Sequence, residues 1–276
     1  QAEDGIRDIG VTGVPDVCSS DLISGGYSLA VAGGTGQLGR TVLTGSNTYT
    51  GQTLVSGGNV VLGTANTNAW SGLQSRSVLT SSNGTVTPYV ASLSDFQNFI
   101  NTKASPLSTG SFGIGNASVT SGTIDFAGAG LTTAYLSAGN GVTVNFTGTY
   151  VPGTAGQYRF GGGDGILSYN TAIADVATTR SSLVIAVANN GQSVGFVNLG
   201  ADNSFTGGIT ITGGTVQADS LARLGSAGPG VTGISVTSTG GIFRWVTNGF
   251  DLSAVPGGVS IAGSGTLQLD TNSVSP

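Results

Sequence analysis

The side chains that this sequence lacks limit its chemistry before any fold is considered. The 276 residues include no His, no Met and one Cys, whereas Asp and Glu together number 13. Without His there is no imidazole base, so a Ser-His-Asp triad, a Cys-His pair and a His-ligated metal site are excluded. A single Cys forms neither an intrachain disulfide nor a Cys-rich metal site. Catalysis would therefore have to use carboxylates.

Carboxylates are the remaining catalytic candidates, because a glycosidase needs only two of them across a glycosidic bond. Eight Asp residues lie beyond Leu22: Asp95, Asp125, Asp164, Asp175, Asp202, Asp219, Asp251 and Asp270. They are scattered singly, which is typical of turn residues whose side chains accept backbone hydrogen bonds. We therefore expect a non-catalytic protein with no catalytic residue. The alternative is a secreted polysaccharide lyase or glycoside hydrolase that uses an Asp pair.

Geometry separates these two functions. An enzyme requires two Asp carboxylates within ~10 Å of each other in an aromatic-lined cleft, whereas a binding rod presents a smooth face of Ser, Thr and Asn. Four aromatic residues are candidates for stacking against sugars: Trp70, Tyr89, Tyr158 and Trp245. Each of them serves equally well as packing inside the fold.

Two glycine-rich segments resemble ligand-binding loops but lack residues that such loops need. Residues 160–167 (FGGGDGIL) resemble one copy of the calcium-binding β-roll repeat, but the copy is single and its Asp is misplaced. Residues 33–39 (GGTGQLG) lack the Lys-Ser or Lys-Thr of a phosphate-binding loop. We expect a Gly-rich loop around Asp164, and no cofactor-binding or metal site.

Charge and hydropathy restrict the partners. Lys and Arg number 8 and the formal net charge is −5, which offers no positive surface to DNA or RNA. The longest apolar run, residues 183–188, is far shorter than the roughly 20 residues of a membrane-spanning helix. We therefore expect no nucleic-acid partner and no direct membrane span.

The elements that would carry these side chains are short strands. The 49 Gly residues, with abundant Thr, Ser, Asn and Val, are typical of a β-rich chain with many turns. Residues 43–60 (LTGSNTYTGQTLVSGGNV) align without a gap with residues 199–216 (LGADNSFTGGITITGGTV), at an offset of 156. Each copy has two strands around a Gly-Gly corner. Because one such coil cannot bury its apolar row alone, the repeat predicts an all-β, parallel β-solenoid.

The unit NTYTGQTLVSGGNVVLG and its second copy, NSFTGGITITGGTVQAD, resemble the autotransporter-associated β-strand repeat of bacterial autotransporter passenger domains. The resemblance implies a right-handed parallel β-helix that is exported through the outer membrane to the cell surface. It also implies a structural, adhesin-like role, with a host or bacterial cell-surface protein or a polysaccharide as partner. A full family member ends in a C-terminal translocator barrel. No barrel pattern is present in this chain, so residues 23–276 are expected to be a β-helix passenger fragment.

Residues 1–22 differ in composition from the rest of the chain. They hold Cys18, which is the only Cys, as well as Glu3, which is the only Glu, and five of the 13 acidic residues. The strings GIRDIGVTGV and DVCSSDL resemble translated sequencing-adapter peptides. We therefore expect residues 1–22 to be a leader that is either non-native or disordered; a genuine capping leader is the alternative.

The repeat pattern also lapses in residues 64–113, which predict a long excursion from the solenoid. Within it, residues 92–103 (SLSDFQNFINTK) predict a short helix, with Ser92 or Ser94 as N-cap and Phe96, Phe99 and Ile100 on one face. We expect this helix to decorate the solenoid, with its apolar face packed on the solenoid wall.

Overall fold

The computed structural model describes residues 8–12, 16–19, 23–32, 40–64, 69–81, 83–186, 196–237 and 240–270. For residues 8–12 and 16–19 it describes the backbone alone. Within these ranges the chain is mostly β, and its parallel strands stack as a β-solenoid of about nine coils.

The described strands are short and follow one another closely. In chain order they are β1 (Asp8–Thr12), β2 (Asp16–Ser19), β3 (Ser24–Gly25), β4 (Ser28–Ala32), β5 (Arg40–Leu43), β6 (Thr48–Tyr49), β7 (Thr53–Val55), β8 (Gly58–Leu62), β9 (Val78–Thr80), β10 (Gly84–Pro88), β11 (Ser111–Ile114), β12 (Thr123–Asp125), β13 (Tyr135–Ala138), β14 (Thr143–Phe146), β15 (Thr149–Val151), β16 (Gln157–Phe160), β17 (Ile166–Tyr169), β18 (Ser182–Ile185), β19 (Phe196–Leu199), β20 (Ile209–Ile211), β21 (Gly214–Ala218), β22 (Ile234–Val236), β23 (Gly241–Trp245), β24 (Val259–Ile261) and β25 (Thr266–Leu269).

Helices are few in the described part of the chain. The two α-helices are α1 (Leu93–Thr102) and α2 (Phe126–Ala129), and 3-10 turns span Leu221–Leu224 and Leu252–Ala254. Neither α-helix has the length and hydropathy that crossing a membrane would require.

The sheets run along the solenoid axis, and every pairing between the named strands is parallel. The longest sheet has eleven strands in the order β2-β5-β8-β10-β11-β13-β16-β18-β20-β22-β24. Each strand of the four-stranded sheet β1-β4-β7-β9 comes directly before a strand of the eleven-stranded sheet in the chain, whereas each strand of the six-stranded sheet β14-β17-β19-β21-β23-β25 comes directly after one. Two short pairs, β3-β6 and β12-β15, complete the walls. The predicted all-β parallel solenoid is confirmed.

The two sequence repeats fold alike. The bounds of β5, β7 and β8 recur in β19, β20 and β21 at the offset that relates the two sequence copies. In each copy the second Gly of the corner has a positive φ, 73° at Gly58 and 75° at Gly214, a conformation that side chains with a Cβ rarely adopt. The repeated Asn also has one role in both copies, because its Oδ1 accepts an N–H from the preceding coil. Asn47 accepts from Ile23 at 3.0 Å and Asn203 accepts from Ile173 at 2.8 Å.

Apolar side chains from successive coils meet inside the solenoid. A continuous line of aromatic rings follows the axis, with neighbouring ring centroids 4.9 to 6.5 Å apart. Its members are Trp70, Phe99, Phe112, Phe126, Tyr150, Phe160 and Tyr169. Edge-to-face packing of this kind adds to the burial of apolar area.

Helix α1 is part of this core. Ser92 is the N-cap, and its hydroxyl accepts the backbone N–H of Asp95 at 3.1 Å. Phe96, Phe99 and Ile100 are completely buried, so the predicted helix and its packing on the solenoid are confirmed. The helix follows β10 in the chain and packs against β12 and α2.

The excursion predicted for residues 64–113 is shorter in the structure. Two strands within it, β9 and β10, pair in parallel with β7 and β8. Thr85 and Thr87 of β10 are both buried: Thr85 Oγ1 accepts the N–H of Gly163, in the Gly-rich loop that contains Asp164, at 2.9 Å, and the Thr87 hydroxyl donates to Asn59 Oδ1 at 2.8 Å. Residues distant in sequence therefore supply the burial that the local pattern lacks.

The N-terminal segment also takes part in the sheets. The backbone of β1 pairs with β4, and that of β2 pairs with β5. Strand β1 is the edge strand of the four-stranded sheet and β2 that of the eleven-stranded sheet, which differs from a disordered leader. Their non-native origin stays a prediction, which the sequence of the underlying gene tests.

Candidate binding surface

The carboxylates named as catalytic candidates are engaged in local structure. Asp125 caps α2 by accepting the Gly128 N–H at 2.7 Å, and Asp251 accepts the Ser253 N–H at 2.9 Å. Asp95 accepts the hydroxyl of its N-cap partner, Ser92, at 2.8 Å. Asp219 forms an ion pair with Arg223 and Asp270 forms one with Arg244, and Asp202 is exposed. Among the Asp side chains that the structure describes, none has another carboxylate among its hydrogen-bond or ion-pair partners.

Asp175 ties a surface turn to the next coil. Its Oδ1 accepts the backbone N–H groups of Ser181 at 2.8 Å and Thr206 at 2.9 Å, and its Oδ2 accepts the Thr206 hydroxyl at 2.7 Å. The hydroxyl of Thr206, followed by the two backbone N–H groups, holds the pKa of Asp175 below its ordinary value. The Asp175 carboxylate is therefore charged at neutral pH. We call its hydrogen bonds to Ser181 and Thr206 the Asp175 staple.

Asp164 lies in the Gly-rich loop of residues 161–165, which folds back over the outer face of the eleven-stranded sheet. Asn59 Nδ2 donates to Asp164 Oδ1 at 2.7 Å, and the N–H of Gly141 donates to the same oxygen at 3.1 Å. Arg40 Nη1 lies 3.9 Å from Asp164 Oδ2. The loop predicted around Asp164 thus links strands that are far apart in the chain. The described residues contain no group of three or more His, Cys, Asp or Glu side chains placed to hold a metal.

The four aromatic candidates do not form a cleft. Trp70 and Trp245 are each only 5% exposed and pack on Phe99 and Phe250, respectively. Tyr158 is half-buried and packs against Tyr150 and Phe160, while Tyr89 is half-buried. Three of the four thus pack against other aromatic rings of the fold. Packing of this kind was one of the two roles that the sequence allowed, and sugar stacking was the other.

A groove of about 490 Å³ lies beside α1, within the range of roughly 300–1,000 Å³ that small-molecule sites occupy. It runs between the outer side of α1 and the chain before β12, and we call it the α1 groove. Its walls are Ser92, Leu93, Ser94, Gln97, Asn98, Asn101, Ser121, Gly122 and Thr123. All nine are uncharged, and seven carry a hydroxyl or an amide.

Hydrogen bonds hold one wall of the α1 groove in place. Gln97 Oε1 accepts the N–H of Asp125 at 2.6 Å, and Gln97 Nε2 donates to the Asp125 carbonyl at 3.1 Å and to Asn101 Oδ1 at 2.8 Å. Asn98 is exposed, and its amide makes no hydrogen bond within the described part of the chain. Free amide and hydroxyl groups both donate and accept hydrogen bonds, so this surface suits a neutral polar ligand.

Sequence reasoning missed these groove residues apart from the helix itself. Ser121 and Thr123 are distant from α1 in the chain, and they approach it only because successive coils stack. The predicted helix at residues 92–103 was the one local signal, since a decoration on a repetitive scaffold is a common place for function. Residues 33–39 and Glu3 lie outside the described residues.

Comparison with known families agrees with the architecture. Two segments, residues 37–62 and 197–218, match the family described as passenger-associated-transport-repeat. No curated protein and no solved structure gave a match. The matched segments end at the last residues of β8 and β21, and they contain both copies of the internal repeat. The chain therefore carries passenger-associated-transport-repeats on a parallel β-solenoid, which is consistent with an autotransporter passenger.

Proposed function

We propose that this chain is a structural and adhesive passenger segment, a non-catalytic rod that presents binding surfaces outside the cell. The α1 groove is the observation that carries the proposal, because it offers uncharged hydroxyl and amide groups on a rigid stack. The commitment of Asp residues to caps, ion pairs and staples supports the same role.

The passenger repeat implies a secreted or surface passenger domain. We propose export through the bacterial outer membrane, with a C-terminal translocator barrel in the full-length protein. The proposed partner is a protein or polysaccharide on a host cell or on another bacterium. The low net charge favours a partner recognised by hydrogen bonds and shape over one recognised by charge.

Surface display tests this function. The whole chain is fused to a heterologous translocator barrel, and adhesion to cultured host cells and clumping of the bacteria are measured against the barrel alone. We expect the displayed chain to increase adhesion or clumping, and Asn98→Arg to reduce it, because Arg would fill the α1 groove. Asn248→Arg is the matched control, since it makes the same change at an exposed Asn far along the chain.

The same bacteria test the enzyme alternative. They are incubated with a panel of polysaccharides, and new reducing ends and unsaturated sugars are measured. Release of either product, abolished by replacing an Asp with Asn, would establish the lyase or hydrolase and refute the non-catalytic rod. Equal adhesion by the displayed chain and the bare barrel would contradict the adhesive role.

A further inference from the structure

The outer face of the six-stranded sheet carries a continuous row of polar side chains. Register pairs them one coil after another, and their neighbours along each strand point into the core. The row, called the amide row below, consists of Asn145, Ser168, Asn198, Gln217, Arg244 and Gln268. Adjacent strands of a sheet lie about 4.8 Å apart, so six rungs extend over roughly 24 Å.

The amides in the first part of this row have unused hydrogen-bonding capacity. Asn145 is exposed, Asn198 and Gln217 are half-buried, and Ser168, on the strand between those of Asn145 and Asn198, is only 7% exposed. None of the three amide side chains makes a hydrogen bond within the described ranges, although each offers two donors and an acceptor. The equivalent outward row of the four-stranded sheet is Ala30, Leu54 and Leu79, so the amides belong to this face and not to the solenoid in general.

An apolar row lies beside the amide row on the same face. In register order it consists of Thr143, Ile166, Phe196, Thr215, Ile242 and Thr266, so Ile166 and Phe196 lie on adjacent strands. Ile166 is 36% exposed, and the Phe196 ring is half-buried with the Arg244 guanidinium 6.0 Å from its centroid. The face therefore combines apolar contact area with hydrogen-bonding groups, as ligand sites do.

The one charged side chain of the amide row, Arg244, is paired with a carboxylate of the same region. Arg244 Nε donates to Asp270 Oδ2 at 2.5 Å, and Gln268 Nε2 donates to Asp270 Oδ1 at 2.9 Å. The other rungs are uncharged, and the chain as a whole is acidic. A polyanion would gain no charge partner here, whereas a neutral sugar chain offers hydroxyls to the amides and C–H faces to the apolar row.

We infer that the amide row binds an extended, neutral, 1,4-linked glycan, which lies along the solenoid axis with about one sugar per coil. An extended 1,4-linked pyranose chain advances per sugar by a distance comparable to the spacing of the strands. Successive sugars therefore meet successive rungs. This inference rests on the proposed adhesive function and assigns its ligand class to one face.

The test measures binding of cellobiose, cellotetraose and cellohexaose to the whole chain by calorimetry, with polygalacturonate as the acidic probe. We expect affinity to rise with each increase in length, because more rungs are engaged, and polygalacturonate to bind more weakly than cellohexaose. Replacing both Asn198 and Gln217 by Ala should weaken cellohexaose binding by about tenfold, the size expected from losing two hydrogen-bonding rungs.

The matched control is the double substitution Thr210→Ala and Ser235→Ala. These residues are also half-buried, outward-facing and paired on adjacent coils, but they lie on the eleven-stranded sheet. Unchanged binding by this variant supports the inference. Because a double Ala variant could lose its fold, Gln217→Arg is tested as well, and circular dichroism confirms that each variant retains its β-structure.

Several results would overturn the inference. They are an absence of cellohexaose binding, tighter binding of polygalacturonate, or equal loss in the control variant. Sedimentation that shows a dimer broken by Asn198→Ala and Gln217→Ala would instead assign the face to a second copy of this chain. Unchanged cellohexaose binding by the double variant, with adhesion of the displayed chain retained, contradicts this inference alone, whereas an absence of adhesion by the unsubstituted displayed chain refutes the proposed function.

Discussion

At the scale of single residues, equivalent buried positions of the two repeats are filled by a polar pair in one copy and by an apolar pair in the other. In the first copy, the Tyr49 hydroxyl and Thr53 Oγ1 are 2.5 Å apart, and both residues are fully buried. The equivalent positions of the second copy hold Phe205 and Ile209, which are apolar and equally buried. A polar pair and an apolar pair thus occupy equivalent sites. Changing one partner alone should be harmful, because it leaves a buried polar atom unpaired.

The prediction is tested by Tyr49→Phe, alone and together with Thr53→Ile. Tyr49→Phe should lower the free energy of unfolding by about 1–3 kcal/mol, because it leaves the buried Thr53 hydroxyl without a hydrogen-bond partner. Adding Thr53→Ile should recover most of this loss by reproducing the pair of the second copy. Denaturant unfolding measures both, and Phe205→Tyr, which places a hydroxyl opposite Ile209, is the converse control. Additive losses in the double variant would contradict the explanation.

At the scale of elements, coils are joined by side chains as well as by strand pairing. Asp175 joins the turn that contains Val176 and Thr179 to the coil of Thr206. Because its pKa is lowered in the folded chain, this staple contributes stability above the ordinary Asp value near 3.9, and the contribution is lost as pH falls through the folded pKa.

This staple predicts a pH-dependent difference between two substitutions. Asp175→Ala should lower the melting temperature at neutral pH, and its deficit relative to the native chain should shrink as pH falls from about 4 through the lowered pKa of the folded chain, where the native carboxylate takes up a proton. Asp175→Asn keeps an acceptor for the two N–H groups, so it should be milder. Thermal melts from neutral to acidic pH measure this; an Ala deficit independent of pH would show that the charge is unimportant.

Some elements could be predicted from the local sequence pattern, and others could not. The N-cap and apolar spacing of α1 are contained in residues 92–103, so the helix was predictable. Strand β10 was not, since Thr85 is covered by the loop of residues 161–165, which arrives three coils later. The α1 groove was hidden for the same reason, because its two walls meet only when coils stack.

At the scale of the whole molecule, the interior is continuous from coil to coil, and tyrosines are part of it. Burial raises the pKa of Tyr150, Tyr169, Tyr49 and Tyr158 above the ordinary value near 10. Above that pH the unfolded chain loses these protons while the folded chain keeps them. The unfolded state then binds fewer protons, so stability falls as pH rises.

Alkaline unfolding should therefore be pronounced, and Tyr150→Phe should reduce it. The Tyr150 hydroxyl is buried and has no hydrogen-bond partner among the described residues, so its removal should cost little at neutral pH or even stabilise the fold. Urea unfolding at neutral pH and above about pH 10 measures both effects. Equal alkaline loss in Tyr150→Phe and the native chain would show that this buried tyrosine is not responsible.

The sequence by itself determined the repeating coil, because Gly corners and a single inward apolar row are local properties that only stacking can satisfy. It also excluded every chemistry that needs His. Only the tertiary structure decided which side chains meet across coils: the Asp164 contacts with Asn59, the walls of the α1 groove and the register of the amide row. The physical reason is that each of these depends on how successive coils align along the axis, and that alignment joins residues that are one or several coils apart.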